Sequence, residues 1–167
     1  AFGDGPVTLK TIADYQKDVR PQGTYFVNSH NVRKGKGMGA GDQDTGKLIS
    51  PEFEIRHAYM TFLVGGGSHK DQTCINLYVG GKRVYSTTGK SSNTMHPDSW
   101  DLRKFAGRRA RIEIVDNHRG GWGNIGADAF RFTNVLKNPG QAREPAKGSA
   151  TRLRADQRAA IERIAGA

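Results

Sequence analysis

The hydrophobic positions along this chain repeat mostly at a period of two, in short runs cut by glycine. Phe53-Glu54-Ile55 alternates, and Tyr59–Val64 is an apolar run of strand length that predicts a strand covered on both faces. Gly65-Gly66-Gly67 is expected to end it. Ile75, Leu77 and Val79 alternate with Asn76 and Tyr78, and Gly80-Gly81 predicts a tight reversal into a strand at Arg83–Ser86. Residues 87–98 are polar and read as a loop. Trp100-Asp101-Leu102 and a short turn at Lys104–Gly107 follow. Ala110, Ile112 and Ile114 alternate with Arg109, Arg111 and Glu113, the pattern of a half-buried strand. Asn117–Gly123 reads as a loop. Ile125–Phe132 reads as the closing strand, with Ala127 and Ala129 on one face and Asp128, Phe130 and Phe132 on the other.

The first 50 residues are rich in turn formers, with short strand candidates at Thr24–Val27 and Lys47–Ile49. Several short strands between glycine-rich turns predict an all-β sandwich. The expected organisation is a sandwich over 1–136, a linker over 137–150 carrying Pro139 and Pro145, and a short amphipathic helix over 151–167. Leu153, Ala160, Ile161 and Ile164 lie at helical spacing in that last segment.

Composition adds little to the fold and more to the choice of partner. The 22 glycines suit a loop-rich β protein. The net charge of +10 is spread, with 19 Lys and Arg against 13 Asp and Glu before residue 137 and 7 against 3 after it. Such a surface attracts polyanions, among them acidic polysaccharide and nucleic acid. Aromatic residues at 8%, with no stacked aromatic motif on a basic strand, make nucleic acid the weaker expectation. No run approaches the roughly 18 apolar residues of a membrane span. No signal peptide is visible, since Ala1 opens into a glycine-rich segment, as in a mature secreted chain or an excised domain.

Cys74 is the single cysteine, and its place in an apolar run marks it as a buried strand residue rather than a nucleophile. Gly35-Lys36-Gly37-Met38-Gly39 lacks the ending of a phosphate loop, and the five histidines lack paired zinc spacing. No close pair of carboxylates of the kind hydrolases use stands out.

The run Leu48-Ile49-Ser50-Pro51-Glu52-Phe53-Glu54-Ile55 is followed by Phe62-Leu63-Val64-Gly65-Gly66-Gly67-Ser68-His69. Cys74 to Lys82, Trp100-Asp101-Leu102, Ala110 to Asp116 and Gly120-Gly121-Trp122-Gly123-Asn124-Ile125 come after. In order and spacing, over about residues 1–133, these runs resemble an accessory module attached to bacterial glycoside hydrolase family 32 enzymes of the levanase type. The resemblance implies a galactose-binding-like jelly roll that holds a catalytic or anchoring neighbour to polysaccharide, in the periplasm or outside the cell. Fructan follows from the resemblance, and an acidic or sulfated glycan follows from the charge; the alternatives are a basic polyanion- or nucleic-acid-binding domain and a structural docking domain that meets a partner through the C-terminal helix. Members of that family begin with a further segment carrying an early strand, whose loss would open a sheet edge. They carry His where this chain has Asn124, which implies a different sugar preference.

The candidate ligand residues gather around Trp122, which glycines flank on both sides so that its ring can meet the C–H face of a sugar. His69 and Lys70 after the triple glycine, Asp116, Asn117, His118 and Arg119 after a strand end, and Asn124 supply donors and acceptors for hydroxyl groups. Trp100 is expected in the core. Asp116, Asn117 and Asp128 are the oxygen donors available for a structural calcium.

Overall fold

A computed structural model describes residues 1–3, 5–16, 18–30, 37–137 and 142–145. The expected helix over 151–167 and most of the expected linker lie outside the described residues. The elements are β1 (Val27–Asn28), a single helical turn α1 (Met38–Gly41), β2 (Gly46–Ile49), β3 (Phe53–Glu54), β4 (Tyr59–Gly66), β5 (Thr73–Val79), β6 (Lys82–Thr88), β7 (Ser92–Asp101), β8 (Arg109–Asp116) and β9 (Ile125–Thr133). Two antiparallel sheets form, one ordered β1-β9-β4-β7 and the other β2-β8-β5-β6, with β3 also on β8. The architecture is a jelly-roll β-sandwich.

The alternation seen in the sequence sets the core. Ile75, Leu77 and Val79 from one sheet meet Met60, Phe62 and Val64 from the other, all buried. Trp100 is sealed among them, its ring parallel to Tyr85 at 5.2 Å and edge-on to Phe62 at 4.7 Å. Its indole N–H donates to Thr87 Oγ1 at 3.0 Å, which meets the one polar demand the ring makes inside the core. Cys74 is buried as expected. Gly80 and Gly81 take φ of +56° and +78°, the left-handed pair that a two-residue hairpin turn between β5 and β6 requires.

The apolar run Tyr59–Val64 becomes the central strand of its sheet, between β9 and β7. Its outer face is covered by the N-terminal segment, whose Val7, Val19 and Phe26 form a second apolar cluster with Met95 of β7 against Leu63. The strand runs on through Gly65 and Gly66 rather than stopping before them.

Two expectations are corrected. Residues 87–98 are not a loop, since β6 runs to Thr88 and Ser92–Asp101 is a ten-residue strand. It is polar because it lies at the end of its sheet, where Pro97 is tolerated and few side chains enter the core. Arg143 of the expected linker lies along it, its N–H donating to Ser99 O at 2.8 Å and its guanidinium to Asp98 at 2.6 Å. In β9, between Thr61↔Arg131 and Leu63↔Asp128, one residue of β4, Phe62, faces two of β9, Ala129 and Phe130, a bulge at which Ala129 takes φ +53°. The extra residue reverses the facing, so Ala127 and Phe130 both meet the core and Phe130 stacks on Phe62 at 5.6 Å.

Candidate functional site

Three segments meet at one end of the sandwich: Gly67–Gln72 between β4 and β5, Asn117–Asn124 between β8 and β9, and the stretch after α1 that contains Asp42. They approach backbone to backbone. A Cβ on Gly67 would stand 2.2 Å from Trp122 O, and one on Gly123 would stand 2.5 Å from His118 O and 2.7 Å from Asp42 O, so neither position can carry a side chain.

The Asn117–Asn124 loop is tied down along its length. Asn117 N–H donates to Gln72 O at 2.7 Å, Gly120 N–H to Asp42 O at 3.2 Å and Gly123 N–H to Gly120 O at 2.9 Å. His69 Nε2–H donates to Gly121 O at 3.0 Å. The buried His30 Nε2–H faces both Gly123 O at 3.2 Å and Asp42 Oδ1 at 3.0 Å. Tyr15 hydroxyl lies 3.2 Å from the other ring nitrogen of His30. His69 and His118 stack face to face, centroids 3.5 Å apart, with His118 Nδ1–H donating to Gln72 Oε1 at 2.9 Å.

This frame holds Trp122 at φ +62°, a conformation that costs a non-glycine residue roughly 1–2 kcal/mol. The residue remains 42% exposed. Backbone strain of this kind is tolerated where neighbouring contacts over-determine it, as they do here.

The structure therefore brings Trp122, His69, His118 and Asn117 together, with Lys70 and Arg119 exposed beside them. It does not bring Asn124 with them. Asn124 is 3% exposed, its amide donates to Asn93 Oδ1 at 2.8 Å, and its carbonyl accepts from Gly67 N–H at 2.8 Å. That side chain joins strands rather than meeting solvent. Asp116 lies beneath the loop, fully buried, and burial pushes its carboxyl up to about 6 against the pull of the Ser29 side chain and the His118 backbone N–H.

The expected calcium set does not assemble. Asp128 stands on the four-stranded sheet, where its carboxylate accepts from Gln22 N–H at 2.6 Å and Ala129 N–H at 2.7 Å, while Asp116 ends β8 of the other sheet. Among the described residues no group of three acidic, His or Cys side chains is placed to hold a metal. His30 and Asp42 were not foreseen as partners of the loop, because no motif signals a pair twelve residues apart that meets only through the fold.

No family model matches the chain. A protein of Aspergillus rugulosus, ecdE, whose name assigns it provisionally to the glycosyl hydrolases, is 44% identical over 95 residues, covering 57% of this chain. The chain spans only 14% of the length of that protein. Among solved structures, the C-terminal extracellular domain of Mycobacterium tuberculosis EmbC aligns with a TM-score of 0.43 at 12% identity, over 67% of this chain and 43% of that one. A family 35 carbohydrate binding module from an environmental isolate aligns at 0.41 and 14% identity, over 80% and 88%. One from Clostridium thermocellum aligns at 0.40 and 11%, over 76% and 86%. The sandwich assignment itself stands on the strand pairing described above.

Proposed function

We propose that this domain is a non-catalytic carbohydrate-binding module that holds an attached catalytic or anchoring partner to polysaccharide outside the cytoplasm. The observation that carries the reading is Trp122, an exposed indole on a loop pinned from three sides. A ring held still in advance loses little freedom when a sugar stacks on it. His69, Lys70, Asn117, His118 and Arg119, on the same pair of loops, carry groups of the kind that pair with hydroxyls. The name of the ecdE relative supports a hydrolase context for the larger protein. Fructan and acidic or sulfated glycan are the two ligand classes in view. No helix among the described residues is long and apolar enough to cross a membrane.

The test is Trp122→Ala, with glycan binding measured by array and calorimetry and stability by thermal melting. The expected loss of affinity is about five- to 150-fold, on the ~1–3 kcal/mol scale of stacking on aromatic rings. The melting temperature should hardly move, because the ring lies outside the core. Unchanged affinity for a ligand of the parent protein, or a melting shift on the scale of a lost core tryptophan, about 3–5 kcal/mol, would overturn the assignment. A titration at two ionic strengths separates the ligand classes, since affinity for an acidic glycan falls with salt and affinity for a neutral one does not. Sugar release from fructan above a heat-killed control would refute the non-catalytic reading.

A further inference from the structure

We infer that the outer face of the five-stranded sheet carries a second glycosyl-binding subsite, continuous with the Trp122 loop. The inference rests on the carbohydrate-binding reading above and extends it to a surface away from the loop tips.

The face holds a depression of about 410 Å³, lined by Lys47, Asp71, Asn76, Tyr78, Arg83 and Glu113. That volume falls at the lower end of the range occupied by small-ligand sites. At its floor, Asn76 of β5 and Glu113 of β8 stand opposite each other in the strand register. Both are buried, at 3% and 4% exposure. Asn76 Oδ1 has no hydrogen-bond partner. A buried amide oxygen without a partner is uncommon in folded proteins, and what it lacks is a donor.

Apart from Asp116 beneath the rim, whose carboxyl oxygens have no hydrogen-bond partner among the described residues, the charges around it are held by one another. Arg111 holds Glu113 through Nη2 at 2.9 Å and Nε at 3.1 Å, and Lys47 Nζ lies 3.5 Å from the other Glu113 oxygen. Arg83 holds Asp71 at 2.6 Å. At Lys47, Arg83, Asp71 and Glu113 a charged ligand would have to compete with a partner already in place. A hydroxyl group need not, since it can donate to Asn76 Oδ1 or a Glu113 oxygen and accept from Lys47 or Arg83 through the same atom. Several such groups at close spacing are the chemistry of a neutral sugar ring. Tyr78 adds a half-buried aromatic wall, one face of which already carries the Arg111 guanidinium at 4.5 Å.

Asn117 makes the site continuous with the loop. It lines the rim of the depression, and its N–H is fixed to Gln72 O, in the same loop pair that stacks His69 on His118. A glycan seated on Trp122 can therefore pass over Asn117 onto the sheet face, so longer chains should bind more tightly than short ones.

The experiment uses an array of neutral oligosaccharides of graded length, levan-type fructans included, read with the parent protein, Asn76→Leu, Lys47→Ala and Trp122→Ala. Melting temperatures run alongside, and Lys47→Ala keeps the test valid if the buried Asn76 substitution unfolds the chain. In the parent protein, affinity should climb with length and then level off. In Asn76→Leu and Lys47→Ala the climb should be lost, about tenfold for the longest chains, with the shortest unchanged. Amide shifts in an NMR titration should include residues 45–47 and 76–78 only with the longer sugars. Length dependence that survives both sheet substitutions while Trp122→Ala abolishes binding would overturn the subsite and leave the loop reading standing. Binding lost in the sheet variants and retained in Trp122→Ala would uphold the subsite and overturn the loop. An array on which the parent protein binds nothing would overturn both.

Discussion

Asp116 offers a quantitative test of the interior beneath the loop. It is fully buried at the end of β8, and burial raises its carboxyl to about 6 from an ordinary 3.8, with Asp42 adding to the rise. Between those two values the folded chain holds a proton on Asp116 that the unfolded chain has released. Folding therefore takes up a proton, and stability falls as pH rises through that window. At about 1.36 kcal/mol per pH unit, the gap amounts to about 3 kcal/mol lost by pH 7. For a domain of this size that is roughly 6–12 °C in melting temperature, at about 2–4 °C per kcal/mol. Asp116→Asn removes the titration and keeps the shape. Below pH 4 the two proteins should melt close together. By pH 7 the variant should be the more stable, by up to about 3 kcal/mol. His96, whose pKa burial lowers, pulls the opposite way on acidification, but it is present in both proteins and cancels in the difference. Melting curves across about pH 3.5–7.5 decide it. A variant less stable than the parent at neutral pH, or a difference that does not change with pH, would refute the reasoning.

Three further outcomes follow from the packing. Thr87→Val leaves the Trp100 indole N–H buried without an acceptor and should lower stability by about 1–3 kcal/mol in urea unfolding, while Thr87→Ser should retain most of it. Gly89→Ala sets a Cβ 2.3 Å from the Gly66 carbonyl oxygen and should cost about 3 kcal/mol or more. Gly121→Ala, where the space is open, should cost under about 0.5 kcal/mol at a surface position of this kind.

Where the chain is covered by apolar neighbours, its sequence announces the fold. The Tyr59–Val64 run, the Ile75-Leu77-Val79 alternation and the Gly80-Gly81 reversal all stand where their periods place them. β7 was invisible because a polar strand at the end of a sheet leaves no period to read. The bulge at Ala129 was invisible because a single extra residue changes the facing without changing composition. In the site, glycines on either side of Trp122 did mark a loop with an outward ring. Asn124 and Asp128 misled for one reason: a polar side chain in a loop-rich stretch looks solvated until its hydrogen-bond partners are known. Asn76 and Glu113 looked like ordinary outward positions of half-buried strands. That they sink into a depression depends on β2 and the Gln72 loop rising beside them.

The two tryptophans divide the molecule's light as well as its packing. Trp100, enclosed by Tyr85 and Phe62 and shut off from solvent, should emit toward the blue and shift only when the sandwich comes apart. Trp122, facing water, should emit toward the red and be open to a soluble quencher. One unlabelled sample thus carries two optical channels, one reporting the integrity of the interior and the other whatever settles on the loop.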